Sequence, residues 1–91
     1  MTKKQAIAKY NLQRETKNCL GDALTYERYS KTIWDNNTET IYTVEQDELA
    51  KEYGEELYFL IVEKIYHNQV YVNKYGLTVP KTKTTIIELT A

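Results

Sequence analysis

The stretch EELYFLIVEKIYHNQVYV, residues 55–72, is the most apolar run in an otherwise polar chain, and its reading decides the fold. One reading is helical. Thr43 and Gln46 have the spacing of a capping box, and Asp47 and Glu48 follow where a helix N-terminus favours negative charge. Leu49, Tyr53, Leu57, Leu60, Ile61 and Ile65 then recur at three- and four-residue steps, a pattern that runs through Gly54 into the quoted stretch. Lys64 and His67 come late, where the helix dipole prefers cations, and Asn68 is a suitable stop. The other reading has Gly54 closing a short helix and LYFLIVEKIY pairing with QVYVNKY as a hairpin across His67 and Asn68, which the β-branched and aromatic density favours. The acid-first, base-last order tips the balance. The spacing predicts a central helix of about twenty residues.

Working outward, residues 3–18 are rich in Lys, Gln, Ala, Glu and Arg and predict an N-terminal helix with a thin apolar side of Ala6, Ile7 and Tyr10. Residues 22–34 suit either a helix capped by Asp22 or a strand that turns at DNNT and returns along ETIYTV; the hairpin is preferred, because TIYTV needs a neighbour. After Asn68, QVYVNKYG and KTKTTIIELT read as strands. The expected fold class is therefore α+β, with an N-terminal helix and one long central helix packed on a small antiparallel sheet. The alternative is a mostly α chain with a C-terminal hairpin.

Ninety-one residues make a single domain, residues 1–91. A hydrophobic fraction of 42% and a charged fraction of 27% are those of a folded chain. One cysteine, Cys19, leaves no intramolecular disulfide and fits a reducing, cytoplasmic setting. The two early lysines are not followed by an apolar run, so no signal peptide is expected, and no stretch reaches the roughly 18 apolar residues of a membrane span. The net charge of −1 conceals an uneven distribution along the chain. Residues 1–18 carry +4, residues 19–34 carry zero, residues 35–63 carry −8 and residues 64–91 carry +3. An acidic middle between basic ends either folds against those ends or offers a face to a basic partner. Nine tyrosines stand against one Phe and one Trp, an excess that suits shallow cores and interfaces and equally fits AT-rich codon usage.

Signals for catalysis are poor. The single His and single Cys are far apart, the three glycines are isolated, and no phosphate-cradling loop is present. Glu63 and His67 have helical spacing, but one His and one carboxylate do not select a metal. No enzyme, metal or cofactor is therefore expected. If residues 44–67 form one helix, Phe59, Val62 and Tyr66 make a second apolar stripe, surrounded by Glu52, Glu55, Glu56 and Glu63. These seven residues are the candidate partner-binding site, an aromatic centre rimmed by carboxylates that suits a basic protein surface. The plainer alternative is that a small sheet covers the stripe and makes it core.

In small size, AT-rich residue usage, acidic middle and lack of catalytic residues, the chain is similar in type to the small accessory proteins of bacterial phages and mobile elements. Many of those bind a host protein, including inhibitors of restriction and CRISPR nucleases; the likeness assigns no residue a role. The expected function is a non-enzymatic intracellular protein-binding regulator or inhibitor, acting on a host nucleic-acid-handling protein through the acidic-aromatic surface. The alternative is a nucleic-acid-binding module using Lys3, Lys4, Lys9, Arg14 and Lys17, which the pI near 5.8 disfavours. Self-association as a homodimer through the same stripe is a third expectation.

Overall fold

The computed structural model describes residues 1–15, 28–46 and 57–90. They form one helix, α1 (Lys3–Tyr10), and five strands: β1 (Gln13–Glu15), β2 (Arg28–Asp35), β3 (Thr38–Gln46), β4 (Tyr58–Val72) and β5 (Thr78–Leu89). The strands make one antiparallel sheet in the order β1-β2-β3-β4-β5.

From Tyr58 to Val72 the quoted stretch is thus a strand. The long central helix packed on a small sheet is not formed, and neither the α+β class nor the mostly α alternative holds: the described residues make a five-stranded antiparallel sheet with one short helix. Thr43 and Gln46 lie in β3, where they pair with Ile61 and Tyr58 rather than cap a helix. The hairpin reading is also corrected, because YFLIVEKIY and QVYV run on as one strand, Tyr58–Val72, whose partners are β3 and β5. Leu49 and Tyr53, which began the proposed helical face, lie outside the described residues. The physical reason is composition: Tyr58–Tyr66 contains Phe, Val, two Tyr and two Ile, side chains that lose rotamer freedom in a helix and pack well on a pleated surface.

Of the hairpin preferred for residues 22–34 and the following ETIYTV, the part from Arg28 onward is present, and residues 22–27 lie outside the described residues. β2 and β3 pair from Arg28↔Glu45 to Asp35↔Thr38, closing on Asn36 and Asn37. Asn36 has φ 54°, a left-handed conformation that Asn tolerates better than most residues. The N-terminal helix is shorter than expected. Thr2 caps it with a reciprocal box, its hydroxyl accepting from the Gln5 amide at 3.2 Å while its own amide donates to Gln5 Oε1 at 2.9 Å. Asn11, at φ 52°, ends it.

α1 covers one face of the sheet, the front. Ala6 and Leu12 pack there on Val44, Tyr58, Leu60 and Leu89, with Ile7, Tyr10, Tyr29, Tyr42 and Val62 around them. Tyr10 stacks on Tyr42 at 4.6 Å between ring centroids. The chain start is tied to the end of β5, where the Thr90 amide donates to the Met1 carbonyl at 3.1 Å. No helix among the described residues is long and apolar enough to cross a membrane.

Beyond Tyr66, β4 has no β3 partner and pairs with β5 alone. The register shifts there: Tyr66 opposes Lys81, and Val70 opposes Pro80. Pro80 has no amide hydrogen to give the ladder, and a bulge on an edge strand is a place that tolerates this. The resulting two-stranded arm closes on an Asx turn, Asn73 Oδ1 accepting from the amides of Tyr75 (2.9 Å) and Leu77 (3.1 Å). Gly76 supplies the positive φ, 76°, that the turn requires. Val70, Tyr71, Val72, Tyr75 and Leu77 are all more than half exposed on this arm.

Candidate functional site

In an antiparallel ladder, residues directly opposite each other share a face and neighbours along the chain do not. Register therefore sorts every described strand residue to the front or the back. On the front, Tyr29, Val44, Leu60 and Ile87 form one row across the sheet. Thr40, Lys64 and Lys83 form another, and Thr38, Tyr66 and Lys81 a third. On the back, Ser30, Thr43, Ile61 and Ile86 make one row, with Arg28, Glu45, Phe59 and Glu88 beside it.

Charge follows the same parity. The front carries Arg14, Lys31, Lys64, Lys81 and Lys83 against Asp35 alone. The back carries Glu15, Glu39, Glu45, Glu63 and Glu88 against Arg28 alone. α1 adds Lys3, Lys4 and Lys9 on the front side. Lys3 is committed to the core rim, with its Nζ 4.5 Å from the Tyr58 ring centroid and 5.6 Å from that of Tyr29. Glu63 and Lys64, adjacent in sequence, are thus on opposite faces. An acid–base alternation that looked like helix polarity is the signature of a two-faced strand.

The two faces differ in how their charges are met. On the back, Glu15 pairs with Arg28 at 3.4 Å and accepts from the Ser30 hydroxyl. Glu39 lies 3.1 Å from His67 Nε2, and the His67 ring stacks on Trp34 at 5.1 Å. On the front, Lys31, Lys64, Lys81 and Lys83 make no ion pair among the described residues. Lys64 and Lys83 are directly opposite each other, and Lys81 is diagonal to Lys64. Like charges directly opposed in a ladder destabilise it. A shallow hollow of about 220 Å³ on this face is lined by Val62, Lys64, Lys83 and Thr85.

No protein-family model matches the chain, and no curated protein or solved structure matches it. The reading of this site therefore rests on its geometry.

The expected partner-binding residues do not come together as one stripe. Phe59 and Glu63 are on the back, Val62 and Tyr66 are on the front, and Glu52, Glu55 and Glu56 lie outside the described residues. A helix would have put Phe59, Val62 and Tyr66 side by side, whereas a strand reverses face at every odd step. Glu63 and His67 lose their helical spacing too, and the partner of His67 is Glu39. Of the basic residues singled out at the N-terminus, Lys3, Lys4, Lys9 and Arg14 are on the front side, and Lys17 lies outside the described residues. The sequence reading passed over Lys31, Lys64, Lys81 and Lys83 as a group. The signal that would have found them is the alternation KTK at 81–83 read with period two.

Proposed function

We propose that the chain binds the phosphate backbone of a nucleic acid on the front face of its sheet. The observation that carries this reading is the directly opposed pair Lys64 and Lys83, which make no ion pair among the described residues, with Lys81 diagonal to Lys64 and Lys31 two strands away on the same face. A fold gains nothing from placing like charges opposite each other on an edge ladder, whereas a polyanion that bridges them converts repulsion into binding. The molecule's overall charge of −1 does not oppose this, because a ligand within a Debye length of about 10 Å feels the face it approaches.

The test is fluorescence anisotropy of a labelled oligonucleotide at rising salt. Four lysines engaging a single strand predict a log–log salt slope of about −2.8, so that affinity falls about 50-fold between about 50 and 200 mM salt. The double variant Lys64→Gln/Lys83→Gln should lose about half of that slope. A wild-type slope near zero, or an unchanged slope in the variant, would sink the reading.

A second reading has its own observation. On the back, Phe59, Ile61, Ile65 and Ile41 surround Glu63, which lies between Ile61 and Ile65 on β4 and opposite Ile41, and Glu88 is opposite Phe59; two of the expected partner-binding residues, Phe59 and Glu63, are thus kept together. Such a face suits a basic protein surface, in line with a regulator or inhibitor of a nucleic-acid-handling protein. Phe59→Ser and Lys64→Glu separate the two readings in one pull-down with a purified basic nucleic-acid-binding protein. Loss of capture with Phe59→Ser alone supports the back-face reading, and equal capture by both variants removes it.

A further inference from the structure

The front face carries more than charge, because two of its tyrosine rings, near the lysines, make no stacking or cation–π contact among the described residues. Tyr66 is directly opposite Lys81, two positions along β4 from Lys64. Past the bulge, Tyr71 is opposite Val79, which is two positions from Lys81 on β5 and so on the same face. The rows therefore run, from the sheet into the arm, as Val62 with Thr85, Lys64 with Lys83, Tyr66 with Lys81, and Tyr71 with Val79. Tyr71 is 54% exposed and Tyr66 half-buried. Tyr10, Tyr29, Tyr42, Tyr58 and Tyr75 each meet another ring or a lysine. Tyr66 and Tyr71 do neither, and among the described residues their hydroxyls have no hydrogen-bond partner.

An exposed ring and a half-buried one standing along a cationic track offer what a single-stranded nucleic acid requires. Its bases are free to leave their own stack and lie on an aromatic face while its phosphates follow the lysines. Duplex DNA offers phosphates but hides its base faces, so it can use the lysines and not the rings. Building on the phosphate-binding reading, we infer that the ligand is single-stranded DNA or RNA, its backbone held by Lys64, Lys81 and Lys83 and its bases stacked on Tyr66 and Tyr71.

The experiment measures affinity of the full chain for an oligo-dT and an oligo-U of about twelve nucleotides, for a duplex of equal length, and for heparin, all at about 50 mM salt. A single strand should bind about tenfold or more tighter than the duplex. Tyr71→Ala, on the exposed arm, and Tyr66→Ala should each weaken single-strand binding about tenfold and leave duplex and heparin binding unchanged. Tyr66→Phe should bind as wild type, because stacking needs the ring and not the hydroxyl. Equal affinity for single strand and duplex, or single-strand binding untouched by both alanine variants, overturns the stacking inference while leaving the lysine site standing. Binding of heparin alone, or of nothing at all, overturns the inference together with the reading beneath it.

Discussion

Replacing Lys64 by Glu should make the chain more stable and a weaker ligand-binder at once. Lys64 faces Lys83 directly and Lys81 diagonally on an edge ladder. Two ammonium groups about 7 Å apart in a water-like dielectric repel by about 0.6 kcal/mol. Reversing the charge on Lys64 turns one direct and one diagonal repulsion into attractions. After screening at about 0.1 M salt, the gain is about 1 kcal/mol, the upper end of what cross-strand pairs contribute. For a chain of this size that corresponds to a rise in Tm of about 4–8 °C. Thermal unfolding followed by circular dichroism at low and high salt measures it. The gain should fade as salt screens the contacts, and Lys64→Gln should show about half of it. The triply reversed variant, Lys64→Glu/Lys81→Glu/Lys83→Glu, restores every like-charge contact of the cluster and should return close to the wild-type Tm. Across this series oligonucleotide affinity should fall with each positive charge removed, whatever the stability does. A Tm that is unchanged or lower in Lys64→Glu would refute the reasoning, since the lysines would then be held apart or already compensated.

Two further outcomes test the fold itself. Leu60 is fully buried at the centre of the front face, between Val44 and Ile87 in its row, so Leu60→Ala should cost about 2–5 kcal/mol in a urea titration. Asn36→Gly should be neutral or slightly stabilising. Asn36→Val, which forces a β-branched residue to φ 54°, should cost about 1–2 kcal/mol and loosen the β2–β3 hairpin.

Part of this architecture was legible in the sequence. The β2–β3 hairpin was readable because Asn36 and Asn37 separate two β-rich runs and supply turn chemistry at the required place. The thin apolar side of α1 was also readable: Ala6, Ile7 and Tyr10 are the helix residues that reach the core. The capping box was looked for at the wrong threonine. Thr2-Lys-Lys-Gln5 and Thr43-Val-Glu-Gln46 match the same four-residue pattern, and the pattern alone does not tell a helix start from the end of a strand. β4 was misread because apolar residues at nearly every position satisfy a three-four spacing and a two-spacing equally. Leu60, Ile61 and Ile65 fit one side of a helix, although Leu60 and Ile61 point to opposite faces of the sheet. The charges broke the tie in the wrong direction, since Glu63 before Lys64 agrees with a helix dipole. The decisive evidence lay in β5, where Lys81, Lys83 and the run of Thr and Ile alternate with no helical alternative, and where Glu63 and Lys64 find Thr84 and Lys83.

Summing charge by segment or over the whole chain averages across the coordinate that matters here. Segments gave +4, 0, −8 and +3, and the total gave −1; neither shows that one face of the sheet holds five bases to one acid and the other five acids to one base. Such a division makes the register of β4 and β5 a determinant of binding as well as of packing. A slip of one residue would carry Leu60 out of the core and exchange Lys64 for Glu63 on the front, so the apolar and the ionic patterns enforce the same pairing. It also fixes what mutation does. Because the two faces are separated by the thickness of a single sheet, neutralising Glu63 or Glu88 on the back should strengthen polyanion binding at low salt by removing an opposing field. The effect should vanish once the Debye length falls below the sheet's own thickness. If Glu63→Gln and Glu88→Gln leave polyanion binding unchanged at low salt, the field of the back face does not reach the bound ligand and the front-face site is refuted.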